Sequence, residues 1–198
     1  AIAMYGQTRT GKSSLMYHLK KKLIERYQEK VLIWDIGNIG ELQESSEYMA
    51  NFLYNLLYIG SEAIYEDDYL ADIVDEIGLT PPLQEIRNDP SFAVTLFNEY
   101  MKKLNPILKR ENRIIVLLID EFTYLHGYIN EGKIPSSFMR FWKAFLQNYC
   151  VFAIVAGQDD MPEFIREYQN EFACMELLKL NYLDERDAKQ LVQVPLEQ

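Results

Sequence analysis

AIAMYGQTRTGKSSLMYHLKKKL, residues 1–23, is the stretch from which the fold is read. Its first five residues are short and apolar and stop at Gly6, the pattern of a buried strand. From Gly6 to Ser13 the chain fits G-x-x-x-x-G-K-[ST]. Glycines let a backbone curl so that several N–H groups point at one anion. The helix that follows presents its positive amino end to the same anion. In such a loop Lys12 reaches the outer phosphates and the Ser13 hydroxyl ligates magnesium. The loop residues Gly6, Gln7, Thr8, Arg9, Thr10, Gly11, Lys12, Ser13 and Ser14 are therefore the candidate nucleotide contacts. The helix is expected to carry Leu15, Leu19, Leu23 and Tyr27 on one face and lysines opposite.

A phosphate loop needs partners at the carboxyl ends of neighbouring strands. RIIVLLIDEF, residues 113–122, is the strongest strand signal: an apolar run closed by two acids. Magnesium bound to phosphates takes a carboxylate near Ser13, often through water, and Asp120 is the candidate. An acid directly after it can orient and deprotonate an attacking water, which makes Glu121 the candidate base. VFAIVAGQDD, residues 151–160, is another apolar strand with a polar end. Gln158 and Asp159 are its candidates for the lytic water or γ-phosphate. Gln158 is favoured, because a second acid beside phosphates does not help.

The other segments supply the frame. KVLIWDIGN reads as a strand ending in Asp35 and Gly37, and CMELLKLNYL as a fifth strand. Helices are predicted around Tyr48, Phe52, Leu56 and Leu57, and from Asp89 as cap through Phe92, Phe97, Tyr100 and Leu104. Pro106 is expected to bend or end the latter. SSFMRFWKAFLQNYC and MPEFIREYQNEF read as helices, and DERDAKQLVQV as one capped by Asp184. TYLHGYINEGKIP reads as loop, with His126 an ordinary loop histidine. Between residues 61 and 90 the acids Glu62, Glu66, Asp67, Asp68, Asp72, Asp75, Glu76, Glu85 and Asp89 face only Arg87 as a basic residue. That stretch is expected to be a surface excursion between helices, with Tyr58, Tyr65 and Tyr69 as a possible protein contact. Buried strands alternating with helices imply an α/β three-layer sandwich over a parallel sheet.

Composition narrows the classes. The chain has 198 residues and a net charge of −10. It is large enough for one domain with a full core, and its charge repels phosphate backbones and anionic membranes. Nucleic acid is thus not indicated as a partner of this domain. The basic clusters Lys20, Lys21, Lys22 and Lys109, Arg110, Arg113 read as solvated helix faces or ends. Cys150 and Cys174 lack metal-ligand spacing and read as free thiols. No window reaches the ~20 apolar residues that span a bilayer, so a cytoplasmic protein is expected.

GQTRTGKSS, VLLIDEF and VAGQDD, in that order, resemble the Walker A, Walker B and sensor segments of the additional-strand P-loop NTPases. Within that class the chain is similar to AAA+ and STAND-type ATPases; VLLIDEFTYL and LNYLDERDAKQLVQVP resemble bacterial STAND-like proteins. The resemblance covers residues 1 to about 195. It implies a five-stranded sheet ordered 5-1-4-3-2, ATP and Mg2+. It also implies an arginine at the γ-phosphate, for which Arg140, Arg166 and Arg186 are candidates; none stands out, and each reads more readily as a surface arginine. A lid or winged-helix domain is expected beyond the C-terminus, and a segment contacting adenine before the N-terminus. The GTP-type [NT]-K-x-D segment is absent from the sequence, so ATP or ADP is the expected ligand.

Three functions remain open. One is the nucleotide switch of a larger signalling or defence-type protein, hydrolysing ATP slowly. Another is a motor or remodelling ATPase working as a ring. The third is a non-hydrolysing protein-interaction module, against which Lys12, Ser13, Asp120 and Glu121 count. Lys12, Glu121 and Gln158 are the candidate catalytic residues, and Ser13 and Asp120 the candidate metal ligands. The switch reading leads, with an unidentified protein partner, flanking domains or further copies of the chain as its partners.

Overall fold

The computed structural model describes residues 1–41 and 47–182. It turns the apolar runs into strands β1 Ile2–Tyr5, β2 Val31–Asn38, β3 Ile114–Asp120, β4 Val151–Gly157 and β5 Glu176–Lys179. They form one sheet ordered β2-β3-β4-β1-β5, parallel throughout. This is the expected 5-1-4-3-2 order. The helices are α1 Lys12–Tyr27, α2 Tyr48–Tyr65, α3 Asp68–Glu76, α4 Leu83–Asn88, α5 Ala93–Arg110, α6 Tyr124–Asn130, α7 Ser137–Asn148, α8 Met161–Glu167 and α9 Gln169–Phe172.

Alternation along each strand sorts side chains between two layers. Ala3, Trp34, Ile115, Leu117, Ile119, Ala153 and Val155 join the larger core with Phe52, Leu56, Phe97, Leu104, Phe138 and Trp142. Met4, Val116, Leu118, Ile154 and Ala156 face the other way, onto Met16 of α1. Both faces are covered, which is why the strands read as unbroken apolar runs. Each large side chain buried in this way contributes about 1.5–3 kcal/mol. Tyr5 pairs with Gly157 and Ile119 with Val155. That register brings the chain ends after β1, β3 and β4 to one rim of the sheet.

Several local expectations are corrected. The buried stripe of α1 runs through Lys12 and Met16 with Leu19 and Leu23 part-buried, whereas Leu15 and Tyr27 are exposed. The acidic stretch 61–90 is largely helical and contributes Ile64, Leu70, Val74, Leu79 and Ile86 to the core. Arg113 is buried, not solvated, and pairs with Asp67, which also accepts from Leu70 N at 3.1 Å as the cap of α3. Helix α5 runs through Pro106. Leu104, Ile107 and Leu108 pack on either side of it, and Asn105 accepts from Cys150 N at 2.7 Å, so tertiary contacts hold the turn that proline weakens. YLHGYIN, read as loop, is helix α6. The helix predicted after Asp184 lies outside the described residues.

Candidate functional site

The loop Gly6–Gly11 leaves β1 in the core and enters α1. Its backbone is shaped by Arg9 and Gly11, both at positive φ (67° and 85°), a region glycine adopts without a Cβ penalty. Thr10 closes the turn with Oγ1 donating to Gln7 O at 2.9 Å. Gly6 has no room for a side chain: a Cβ there would lie 2.2 Å from the Leu180 carbonyl oxygen. Beyond β5, Leu180 N donates to Tyr5 O at 2.7 Å, and the Tyr182 hydroxyl donates to Thr8 O at 3.4 Å. The sequence reading missed this support of the loop from the β5 side.

Lys12 is buried, with its ammonium donating to the carbonyls of Gly6 at 2.8 Å and Gln7 at 2.9 Å. Its positive charge is thereby held at the mouth of the loop. Helix α1 has no side-chain cap and no acid in its first turn, so its positive end is left for an external anion. Gln7, Thr8, Arg9, Ser13 and Ser14 are exposed.

The end of β3 meets this loop. Ser13 Oγ donates to Asp120 Oδ2 at 2.5 Å. The other carboxylate oxygen accepts from Glu121 N at 2.8 Å. Hydroxyl and carboxylate oxygens are hard ligands, and two of them suit a cation that keeps waters and phosphate oxygens for its remaining positions, as magnesium does. Among the described residues no group of three or more His, Cys, Asp or Glu forms a metal cage of its own.

Glu121 takes a positive φ of 56°, uncommon for a residue with a Cβ. Its carboxylate accepts from Gln158 Nε2 at 2.7 Å. The structure thus joins Ser13, Asp120, Glu121 and Gln158 in one hydrogen-bonded series across the rim. Asp159 and Asp160 are exposed. Thr123, which the sequence reading passed over, is buried and accepts from Gln158 N at 3.3 Å; a hydroxyl just past an acid pair at a strand end was its only signal.

Asp35 stands apart from the loop. It pairs with Lys20 at 2.8 Å and holds the bulge of β2 by accepting from Gly37 N at 3.2 Å. Together with Ser13, Met16, Asn38 and Asp120 it lines a groove of about 340 Å³ beside the loop. His126 is buried rather than a loop residue, 2.8 Å from Glu167 Oε2 and stacked on Phe164. Of the candidate arginines, Arg140 and Arg166 are exposed, Arg166 near Glu163, and Arg186 lies outside the described residues. Among the described residues no helix is long and apolar enough to cross a membrane.

A family model described as an ATPase domain predominantly from Archaea matches residues 1–190. The fold is similar to that of the ORC2 protein of Aeropyrum pernix, solved as ADPNP–ADP complexes. The TM-score is 0.58 at 14% identity, over 98% of this chain and 45% of that one. It is also similar to Cdc6p from Pyrobaculum aerophilum, with TM-score 0.50 and 12% identity, over 97% of this chain and 41% of that one. The chain therefore spans less than half the length of either protein, and at these identities the likeness is one of fold. No curated protein matches it in sequence.

Proposed function

The chain belongs to the family of ATPase domains found predominantly in Archaea, and on that premise we propose that it binds ATP with magnesium at Gly6–Ser14 and hydrolyses it slowly. In this reading the nucleotide state is a switch for flanking domains or a protein partner. The observation that carries the proposal is the Ser13–Asp120 hydrogen bond, which joins the phosphate loop to the acid pair of β3.

Each residue then has a role that follows from its chemistry. Backbone N–H groups of the loop and the amino end of α1 hold the phosphates. Lys12 exchanges its loop carbonyls for phosphate oxygens. Ser13 and Asp120 hold the magnesium, which neutralises charge on the outer phosphates. Glu121 accepts a proton from the attacking water, and Gln158 orients that water or the γ-phosphate. The GTP-type base-reading segment is missing from the sequence, which favours adenine.

Phosphate release, measured over a wide range of protein concentration, tests the proposal. A slow rate per chain, independent of concentration, supports the switch. A rate per chain that rises with assembly supports a ring-forming motor instead. Tight ATP binding with no release supports a non-hydrolysing module.

A further inference from the structure

Thr123 is the first residue after Phe122 at the rim and the N-terminal flank of α6, where a threonine hydroxyl ordinarily accepts from an N–H of its own helix. Here it makes no such capping bond. The side chain is turned the other way, 3% exposed, and its Oγ1 accepts from Gln158 N at 3.3 Å. Its methyl group fills the space over the end of β4: a Cβ on Gly157 would lie 2.7 Å from Thr123 Cγ2. One residue earlier, Phe122 N donates to Ala156 O at 2.7 Å. The loops after β3 and β4 are thereby joined past the ends of their strands. Gln158 in turn holds Glu121 at 2.7 Å.

We infer that Thr123 is a positioning residue for hydrolysis: its hydroxyl fixes the Gln158 backbone and through it the register between the Gln158 amide and the Glu121 carboxylate. The inference rests on the ATPase reading above and names a residue that reading does not use. Among the described residues the side-chain hydrogen bond of Thr123 goes to Gln158 and not to the phosphate loop, so nucleotide affinity is expected to be spared when it changes. What changes is the geometry of the water-activating pair, where a displacement of about 1 Å can cost ~10²-fold in rate.

The test compares steady-state ATP turnover and fluorescent-nucleotide binding in the parent protein and in Thr123→Val, Thr123→Ser and Thr123→Ala. Thr123→Val keeps shape and removes the acceptor; the expected result is a kcat lower by about tenfold or more with KM within about threefold. Thr123→Ser restores the hydroxyl and is expected within about threefold of the parent in both. Thr123→Ala, which differs from Thr123→Ser by the hydroxyl alone, must lose turnover more than Thr123→Ser does. In a Gln158→Ala background, Thr123→Val is expected to cost nothing further, since both act on one carboxylate. Parent-like turnover in Thr123→Val, parity between the Ala and Ser variants, or full additivity with Gln158→Ala overturns the inference while leaving the ATPase reading intact. An inactive parent protein overturns that reading, and this role with it.

Discussion

Ser13 and Asp120, 107 positions apart in the chain, share a hydrogen bond of 2.5 Å. One lies in the first turn of α1 and the other closes β3, so the bond exists only when β1, β3 and β4 are assembled in parallel order. If these oxygens hold magnesium, Asp120→Asn should weaken the Mg2+ dependence of nucleotide binding by ~10–100-fold, as loss of a metal-orienting group commonly does. A magnesium titration of ATP binding measures this. An unchanged half-saturating magnesium concentration excludes Asp120 from the metal site.

Glu121→Gln keeps the shape of the side chain and its neighbour Gln158 while removing the base. Turnover should fall by ~10²–10⁴-fold with nucleotide binding retained. Single-turnover measurements with saturating ATP check it, and hydrolysis at the parent rate assigns the base elsewhere.

Gly6→Ala sets a Cβ against the backbone oxygen of Leu180, with 2.2 Å between them. Neither partner is a flexible side-chain end, so the loop or the exit of β5 must move. The expected outcome is lower thermal stability, by roughly 1–3 kcal/mol, together with loss of ATP affinity. Calorimetric unfolding with parallel ATP titration reads both. Gly11→Ala, where nothing lies within 4 Å but φ is +85°, separates backbone strain from collision.

Asp67→Asn isolates the Arg113 pair. Asparagine caps a helix about as well as aspartate, so α3 keeps its cap while the buried guanidinium loses its counter-charge. Side-chain exposure is 5% for Arg113 and 18% for Asp67. Breaking such a pair from one side costs on the order of 3 kcal/mol, to be read from denaturant midpoints. A shift under about 0.5 kcal/mol would place the pair with ordinary surface bridges.

The parts legible in the sequence were those whose signal is local. The apolar runs of β3 and β4 end in Asp120, Glu121 and Gln158, and an α/β sheet sends strand ends to one rim. What escaped depends on contacts between distant segments. In the 61–90 stretch the acids mask an apolar spacing at Leu70 and Val74, which pays off only against the larger core. Helix α6 carries Gly127 and polar residues, yet Leu125 and Tyr128 are buried, so packing overrides weak helix propensity. Pro106 is tolerated because Asn105 bonds the entry to β4. Arg113 looked solvated beside Lys109 and Arg110, since its partner Asp67 lies on another element. Thr123 gains meaning only from Gln158, which sits on the neighbouring strand end.

Calorimetric titration of the intact chain with ATP in magnesium, beside Lys12→Ala, bears most directly on the nucleotide reading. The account predicts saturable binding of one ATP per chain, abolished by chelation and by the substitution. Absence of binding to the parent protein, or an affinity that Lys12→Ala leaves unchanged, contradicts it.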